Sequence, residues 1–395
     1  MSDEARAPET TGPAAPLCSL GELARYFLRI GAVGFGGPIA LAGYMQRDLV
    51  EERRWFTEAD YKEGLALSQL SPGPLAAQLA MYLGWVRAGT VGALLIGGVF
   101  VLPSFVMVLI LAAFYVRYGG LPWMAGAFYG IGAGVIAIIA RSAAKLAKMT
   151  LKKDPLLWVI FAIVAIVTAV TAKEIVWLFL AGGLVALLVR APPRLGAGAS
   201  VLALPPIFVT GLHGAASTNT LVQIAWYFTK AGAFIFGSGL AIVPFLYDGV
   251  VQRFHWLDDR QFLDAVAVAM ITPGPVVITA GFIGFLAAGL LGAMLAAVGT
   301  FLPPFLVVVI AARPLRRATR NASAKAFVAG VTSAAAGAIA GAAFVLGRRA
   351  IVDVSTALIA LAVLGALMAS KKIPEPILIV ASGVAGLVLK TMLRQ

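Results

Sequence analysis

Apolar runs, each closed by a few charged or turn-forming positions, fill most of this chain. They fall at about 88–116, 122–140, 154–170 and 175–189, and again at about 222–247, 262–283, 284–311, 326–346, 352–369 and 374–391. Each is near the length of about 20 residues that a helix needs to cross a bilayer core. The pattern predicts an all-α integral membrane protein with many crossings. Residues 1–19 are polar and carry no basic segment leading into a cleavable apolar core, so they read as a disordered tail rather than a signal peptide. Between Leu20 and Leu28 the apolar positions keep a helical spacing. Residues 46–63 form a mixed-charge surface stretch with Trp55 at an interface.

Two of the apolar runs contain the same interruption. Gln69-Leu-Ser71-Pro72-Gly73-Pro74 reappears, at an offset of 201, as Met270-Ile-Thr272-Pro273-Gly274-Pro275. Proline removes a backbone donor and clashes with the preceding turn, so Pro-Gly-Pro ends an α-helix. A second pair of breaks is expected at Gly36-Gly37-Pro38 and Gly237-Ser238-Gly239. Irregular backbone at membrane depth persists only where protein buries it or where it lines a cavity, and paired breaks in two halves point to a transporter binding site.

The halves are homologous. Residues 26–74 and 227–275 align without gaps with 13 identities in 49 positions, and these fall mainly on Gly, Pro and aromatic residues rather than on interchangeable Leu and Val. The organisation read from this is a tail at 1–19, a first transmembrane repeat at 20–190, a linker at 191–220 and a second repeat at 221–395. Arg141, Lys145, Lys148, Lys152 and Lys153 follow the 122–140 run, whereas Arg313, Arg316, Arg317, Arg320 and Lys325 precede its counterpart. Basic loops mark the inside face. A shift by one span therefore predicts that the repeats are inverted, with broken helices in both. If each broken region crosses an even number of times, inversion needs one further span, for which 200–212 is the candidate; an odd number needs none.

Composition narrows the class. The chain has 395 residues, 61% hydrophobic and 12% charged, with a net charge of +13. Its mean hydropathy is +0.93. The cations sit in short loops rather than on one stripe, so no nucleic-acid partner is expected. One cysteine and two histidines leave no basis for a disulfide framework, a metal site or a cofactor. No nucleotide-binding P-loop is present, and no enzymatic constellation stands out, an intramembrane lipid-phosphate enzyme being the class set aside.

The candidate chemistry is anion binding. Helices that end at a break point their N-termini into the membrane, each offering free N–H groups and about half a positive charge. The expected substrate site is Gly36, Gly37, Ser71, Pro72, Gly73, Pro74, Gly237, Ser238, Gly239, Thr272, Pro273, Gly274 and Pro275, with Gln69 and Gln78 as further donors. Arg29 and Lys230, equivalent by the repeat, are candidate charges for the anion or lipid-headgroup anchors. Glu63 and Asp264, also equivalent, are candidates for proton coupling or solvated interfacial acids. Gly31, Gly34, Gly132, Gly134, Gly337 and Gly341 are read as packing positions.

Phe35-Gly-Gly-Pro-Ile-Ala40, Gln69-Leu-Ser-Pro-Gly-Pro74, Phe236-Gly-Ser-Gly-Leu-Ala241 and Thr272-Pro-Gly-Pro275, in two halves of about 190 residues, resemble the chromate ion transporter family in its long two-domain form. The resemblance covers roughly residues 20–391. It implies chromate export across the bacterial inner membrane driven by the proton motive force, with sulfate as the related oxyanion. A sulfate or other oxyanion permease and an anion channel are the alternatives. Partners expected are these anions and membrane lipid, and a homo-oligomer stays open.

Overall fold

A computed structural model describes residues 18–34, 37–118, 122–171, 176–190, 218–235, 242–318, 322–369 and 373–392, and all elements among them are helical. The break at 237–239, Gly36 and the linker span expected at 200–212 lie outside the described residues.

Each half opens with a helix that turns back on itself. Helix α1 (Leu20–Val33) starts at a capping box in which Ser19 and Glu22 satisfy each other's backbone amides. Its 14 residues rise about 21 Å, short of the hydrocarbon core. Helix α2 (Gly37–Met45) and a π-helical turn at Gln46–Glu52 then return alongside it, tied where the Tyr26 hydroxyl donates to Asp48 Oδ2 at 3.2 Å. In the second half α8 (Thr218–Ala233), α9 (Ile242–Tyr247) and a π turn at Asp248–Arg253 repeat this. The Tyr227 hydroxyl donates to the Phe245 carbonyl at 2.5 Å, and its ring stacks on Phe245. The run at 222–247, expected as one span, is thus two antiparallel pieces. Apolar content alone does not distinguish a crossing from a buried hairpin.

The repeated Pro-Gly-Pro motifs form the tips of a second pair of hairpins. Helix α3 (Glu58–Leu70) ends at Ser71, and α4 (Leu75–Tyr118) begins after Pro74. Helix α4 itself turns sharply at Ala88 and Gly89, where Gly89 has φ +59°. The segments 75–87 and 90–118 pack so closely that the backbones of Gly84 and Gly92 touch. The counterpart is α10 (Asp259–Ile271), a single 3-10 turn at Val276–Ile278 and α11 (Thr279–Ala318), turned at Ala288 and Gly289, with Gly284 against Gly292. The expected span at 262–283 is therefore a re-entrant hairpin, and within α4 and α11 it is the segments 90–118 and 290–318, about 43 Å long, that are long enough to reach across.

The remaining helices exchange partners between halves. The first half continues with α5 (Pro122–Leu151), α6 (Pro155–Thr171) and α7 (Val176–Arg190), and the second with α12 (Ala322–Ala350), α13 (Val354–Ala369) and α14 (Glu375–Met392). Helix α5 packs on α13 and α14, while α12 packs on α6 and α7. Gly130 meets the backbone of Ser382 and Gly386, and the equivalent Gly330 meets Gly182 and Ala186. The Ser333 hydroxyl donates to the Leu157 carbonyl at 2.6 Å, Gly337 lies against Phe161, and Gly341 against Ala165 and Thr168, so α12 runs parallel to α6. Gly126 against Lys390 and Gly134 against Ser382 make α5 antiparallel to α14. Small residues let these backbones approach without a hydrophobic drive between helices. Outward-facing Val91, Leu94, Ile110, Val170, Leu291, Val298 and Ile310 present an apolar surface suited to lipid.

Candidate functional site

The hairpin tips meet at half height. Along 90–118, the first part is covered by its own hairpin through Gly84 on Gly92 and Met81 on Gly97. Ser104, halfway along, meets the tip of the other half: its hydroxyl donates to the Pro273 carbonyl at 2.7 Å. Beyond it, Phe105 and Val108 lie against Gly281, and Tyr115 against Phe282 and Asp264. The first-half tip is placed likewise, because a side chain on Gly73 would meet Pro304, which stands halfway along 290–318.

Two backbone hydrogen bonds cross between halves and obey the repeat. Gly73 N–H donates to the Ile235 carbonyl at 2.5 Å, and Gly274 N–H donates to the Gly34 carbonyl at 3.0 Å. Each Pro-Gly-Pro tip is thus tied to the end of the opposite half's first helix. Gly73 (φ +141°) and Gly274 (φ +96°) adopt backbone conformations that side chains disfavour, which is why glycine stands between the prolines. Gly34, read from sequence as a packing position, supplies one of these acceptors.

A cavity lies where the tips converge. It is lined by Pro38 and Leu41, by Pro74 and Ala76, and by Gly274, Pro275, Val276 and Val277. Its volume of about 10 Å³ holds about one water and is too small for a tetrahedral dianion. The lining side chains are apolar, so its polarity comes from backbone. The N–H groups in the first turn of 75–87 have no intrahelical acceptor, and the same holds for the amides at 276 and 277 ahead of α11. With the N-terminus of α2, three helix ends converge, amounting to about one and a half positive charges.

The hydroxyls of Ser71 and Thr272 are buried but do not face outward as free donors. They cap their own helices, donating to the carbonyls of Leu67 and Val268 at 2.7 Å each. Gln78, fully buried, supports the first tip by donating from Nε2 to Ser71 Oγ at 3.0 Å and to the Pro72 carbonyl at 2.7 Å. Its Oε1 is the one buried side-chain polar atom without a partner among the described residues. Gln69 is exposed.

The structure separates the charged candidates. Arg29 sits on an exposed face of α1, and Lys230 is half-buried with its ammonium 5.4 Å from the Trp226 ring centroid; neither lines the cavity. Asp264 is 2% exposed and is the one fully buried charged residue among those described. It accepts a hydrogen bond from the Tyr115 hydroxyl at 2.7 Å, across the two halves. Glu63, half-buried, accepts one from the Tyr82 hydroxyl at 3.0 Å within its own half. Phe282 occupies the position of Tyr82 in the second half, and the Tyr115 ring packs on it at 5.6 Å to bring in the missing hydroxyl. Tyr115, Tyr82, Ser104 and Pro304 escaped the sequence reading, although Ser104, beside Pro103 in an apolar run, was a visible signal.

Paired broken hairpins around a mid-height cavity define a multi-pass membrane transport protein of two homologous halves. The chain belongs to the chromate transporter family, whose sequence profile matches residues 21–187 and, a second time, 222–387. It is similar to the chromate transport protein of Cupriavidus metallidurans, at 54% identity over 98% of each chain. It also resembles the probable chromate transport protein of Synechococcus elongatus, at 54% identity over 94% of this chain and 96% of that one. The chromate transport protein of Pseudomonas aeruginosa is 32% identical over 95% and 94%. No solved structure matches the chain. It is a bacterial membrane transporter and not an enzyme.

Proposed function

We propose that the protein exports chromate from the cell by alternating access, driven by the proton motive force, and that sulfate is the related oxyanion it accepts. The observation that carries this reading is the cavity lined by apolar side chains at which the N-terminal ends of half-helices from both halves converge. Backbone N–H groups and helix ends hold a small anion without a fixed counter-charge, so that it can also be released. Chromate and sulfate are both tetrahedral dianions, which such a cradle separates poorly. The choice of chromate rests on the relatives. The closed cavity represents an occluded state, sealed by the Gly73 to Ile235, Gly274 to Gly34 and Ser104 to Pro273 bonds. Access from either face requires these tips to part.

The two halves are proposed to be inverted repeats. Helix 90–118 is flanked on its first part by its own hairpin and on its last part by the other half's, so the hairpins enter from opposite faces. Helix α12, parallel to α6, runs against its own counterpart α5, which supports the same arrangement. Basic residues at 141–153 and 313–325 then share the inner face. The test is radiolabelled chromate uptake into inverted membrane vesicles. Energised vesicles should accumulate chromate and an uncoupler should abolish it. Uptake indifferent to the uncoupler would favour a channel, and uptake of sulfate alone would favour a sulfate permease.

A further inference from the structure

The two acid–tyrosine pairs stand on opposite sides of the cavity. Tyr115 lies eleven positions beyond Ser104 along 90–118, about 16 Å toward one face. Tyr82 lies between Met81 and Gly84, which pack against Gly97 and Gly92, about 14 Å toward the other face. Both acids belong to the re-entrant helix of their own half, Glu63 to α3 and Asp264 to α10. A tyrosine hydroxyl is a neutral partner that suits both states of a carboxyl group. It donates to the carboxylate, and it accepts from the protonated acid. At Asp264, a lysine or arginine in the place of Tyr115 would hold the acid ionised.

We propose that Glu63 with Tyr82, and Asp264 with Tyr115, are two proton stations, one on each side of the anion cavity, with the tyrosines as positioning residues. This rests on the proton-coupled reading and adds to it the tyrosines, their sides and an asymmetry. In each cycle one carboxylate takes a proton from the solution on its face to become a carboxylic acid. This proton passes to the other carboxylate through the water that enters once the tips part, and that second acid releases it to the opposite face, so both groups return to their starting state. The Tyr82 bond lies within one half and survives relative motion of the halves. The Tyr115 bond joins α4 to α10 and is broken when they part. Protonation of Asp264 is therefore tied to opening of the cavity, whereas that of Glu63 is not. The charges acting on Asp264 are Arg260 and Asp258 of its own segment; Tyr115 faces it from α4, and the Phe128 and Phe282 rings of α5 and α11 enclose that tyrosine.

The test uses purified full-length protein in proteoliposomes. Gradient-driven chromate uptake and chromate counterflow are measured for wild type, Tyr115→Phe and Tyr82→Phe while pH is varied on one face at a time. Phenylalanine keeps the ring contacts of Tyr115 at 5.4 and 5.6 Å, so packing is preserved. Each variant should lower gradient-driven uptake about tenfold, with a much smaller fall in counterflow. Tyr115→Phe should move the pH profile for one face and Tyr82→Phe that for the other. Asp264→Glu should restore part of the coupling that Asp264→Asn removes. Unmoved profiles in both variants, profiles moving for the same face, or equal loss of both activities in folded protein would overturn the inference. A wild type indifferent to the proton gradient would remove the coupling reading itself.

Discussion

Gly73→Ala probes the central tip most sharply. The added methyl would stand 2.5 Å from Gln78 Cδ, 2.6 Å from Gln78 Nε2 and 2.6 Å from Pro304 Cβ. Apolar atoms rest at about 3.5–4.0 Å, so the tip must shift by about 1 Å. Such overpacking costs about 1–3 kcal/mol. Alanine at φ +141° adds backbone strain of about 1–3 kcal/mol. A shift of this size also lengthens the Gly73 to Ile235 hydrogen bond, with a net loss of about 1 kcal/mol. The combined destabilisation is about 3–7 kcal/mol, concentrated where the halves join. The comparison is Gly289→Ala, which also has positive φ (+64°) but has no atom within 4 Å of the added methyl. Thermal unfolding in detergent and chromate uptake into inverted vesicles are measured for both. Gly73→Ala should unfold at markedly lower temperature and retain less than about a tenth of uptake, an effect of more than about 1.4 kcal/mol, while Gly289→Ala shows only a strain-sized loss. Equal behaviour of the two variants would show that crowding against Gln78 and Pro304 does not set the tip.

Other outcomes follow from the same geometry. Gln78→Leu leaves Ser71 Oγ and the Pro72 carbonyl without their donor inside the protein, and should cost about 1–3 kcal/mol in thermal unfolding together with most transport. Asp264→Asn can still accept from Tyr115 but cannot carry a proton, so gradient-driven uptake should disappear while chromate counterflow in proteoliposomes persists. Arg29→Gln, on an exposed face away from the cavity, should leave apparent chromate affinity within about twofold, less than the roughly 1 kcal/mol of a direct charge contact; a larger fall would return Arg29 to the anion path.

The breaks were legible because proline and glycine are local signals, and the duplication because it falls on residues whose backbone role is not interchangeable. What the chain does between breaks was less legible. The runs at 222–247 and 262–283 have the apolar content of a span, yet each is a hairpin, because burial against protein and burial in lipid select the same side chains. The turn at Ala88 and Gly89 falls where the apolar run 88–116 begins, whereas its counterpart at Ala288 and Gly289 lies four residues after the start of the run 284–311, within an unbroken apolar stretch. Asp264 was reached from its symmetry with Glu63, but Tyr115 lies 149 positions away and has no symmetric counterpart in that role. Long-range pairing of this kind is set by packing of the halves, about which composition carries no information. Similarly, Ser71 and Thr272 were read as donors to the anion, while in the structure their hydroxyls cap helices and the backbone amides remain for the site.

Two homologous hairpins entering from opposite faces, with their tips at half height, are what the transport mechanism requires. Thr90 and Leu290 lie just past the two turns, at matched positions, and both are exposed. The native cysteine, Cys18, is buried and is replaced by serine to give a silent background. Thr90→Cys and Leu290→Cys are then treated separately with a membrane-impermeant thiol reagent, in intact cells and in inverted vesicles. Opposed entry predicts that Leu290→Cys labels in cells and Thr90→Cys labels in inverted vesicles. Labelling of both from the same face would contradict the inverted arrangement and the transport mechanism built on it.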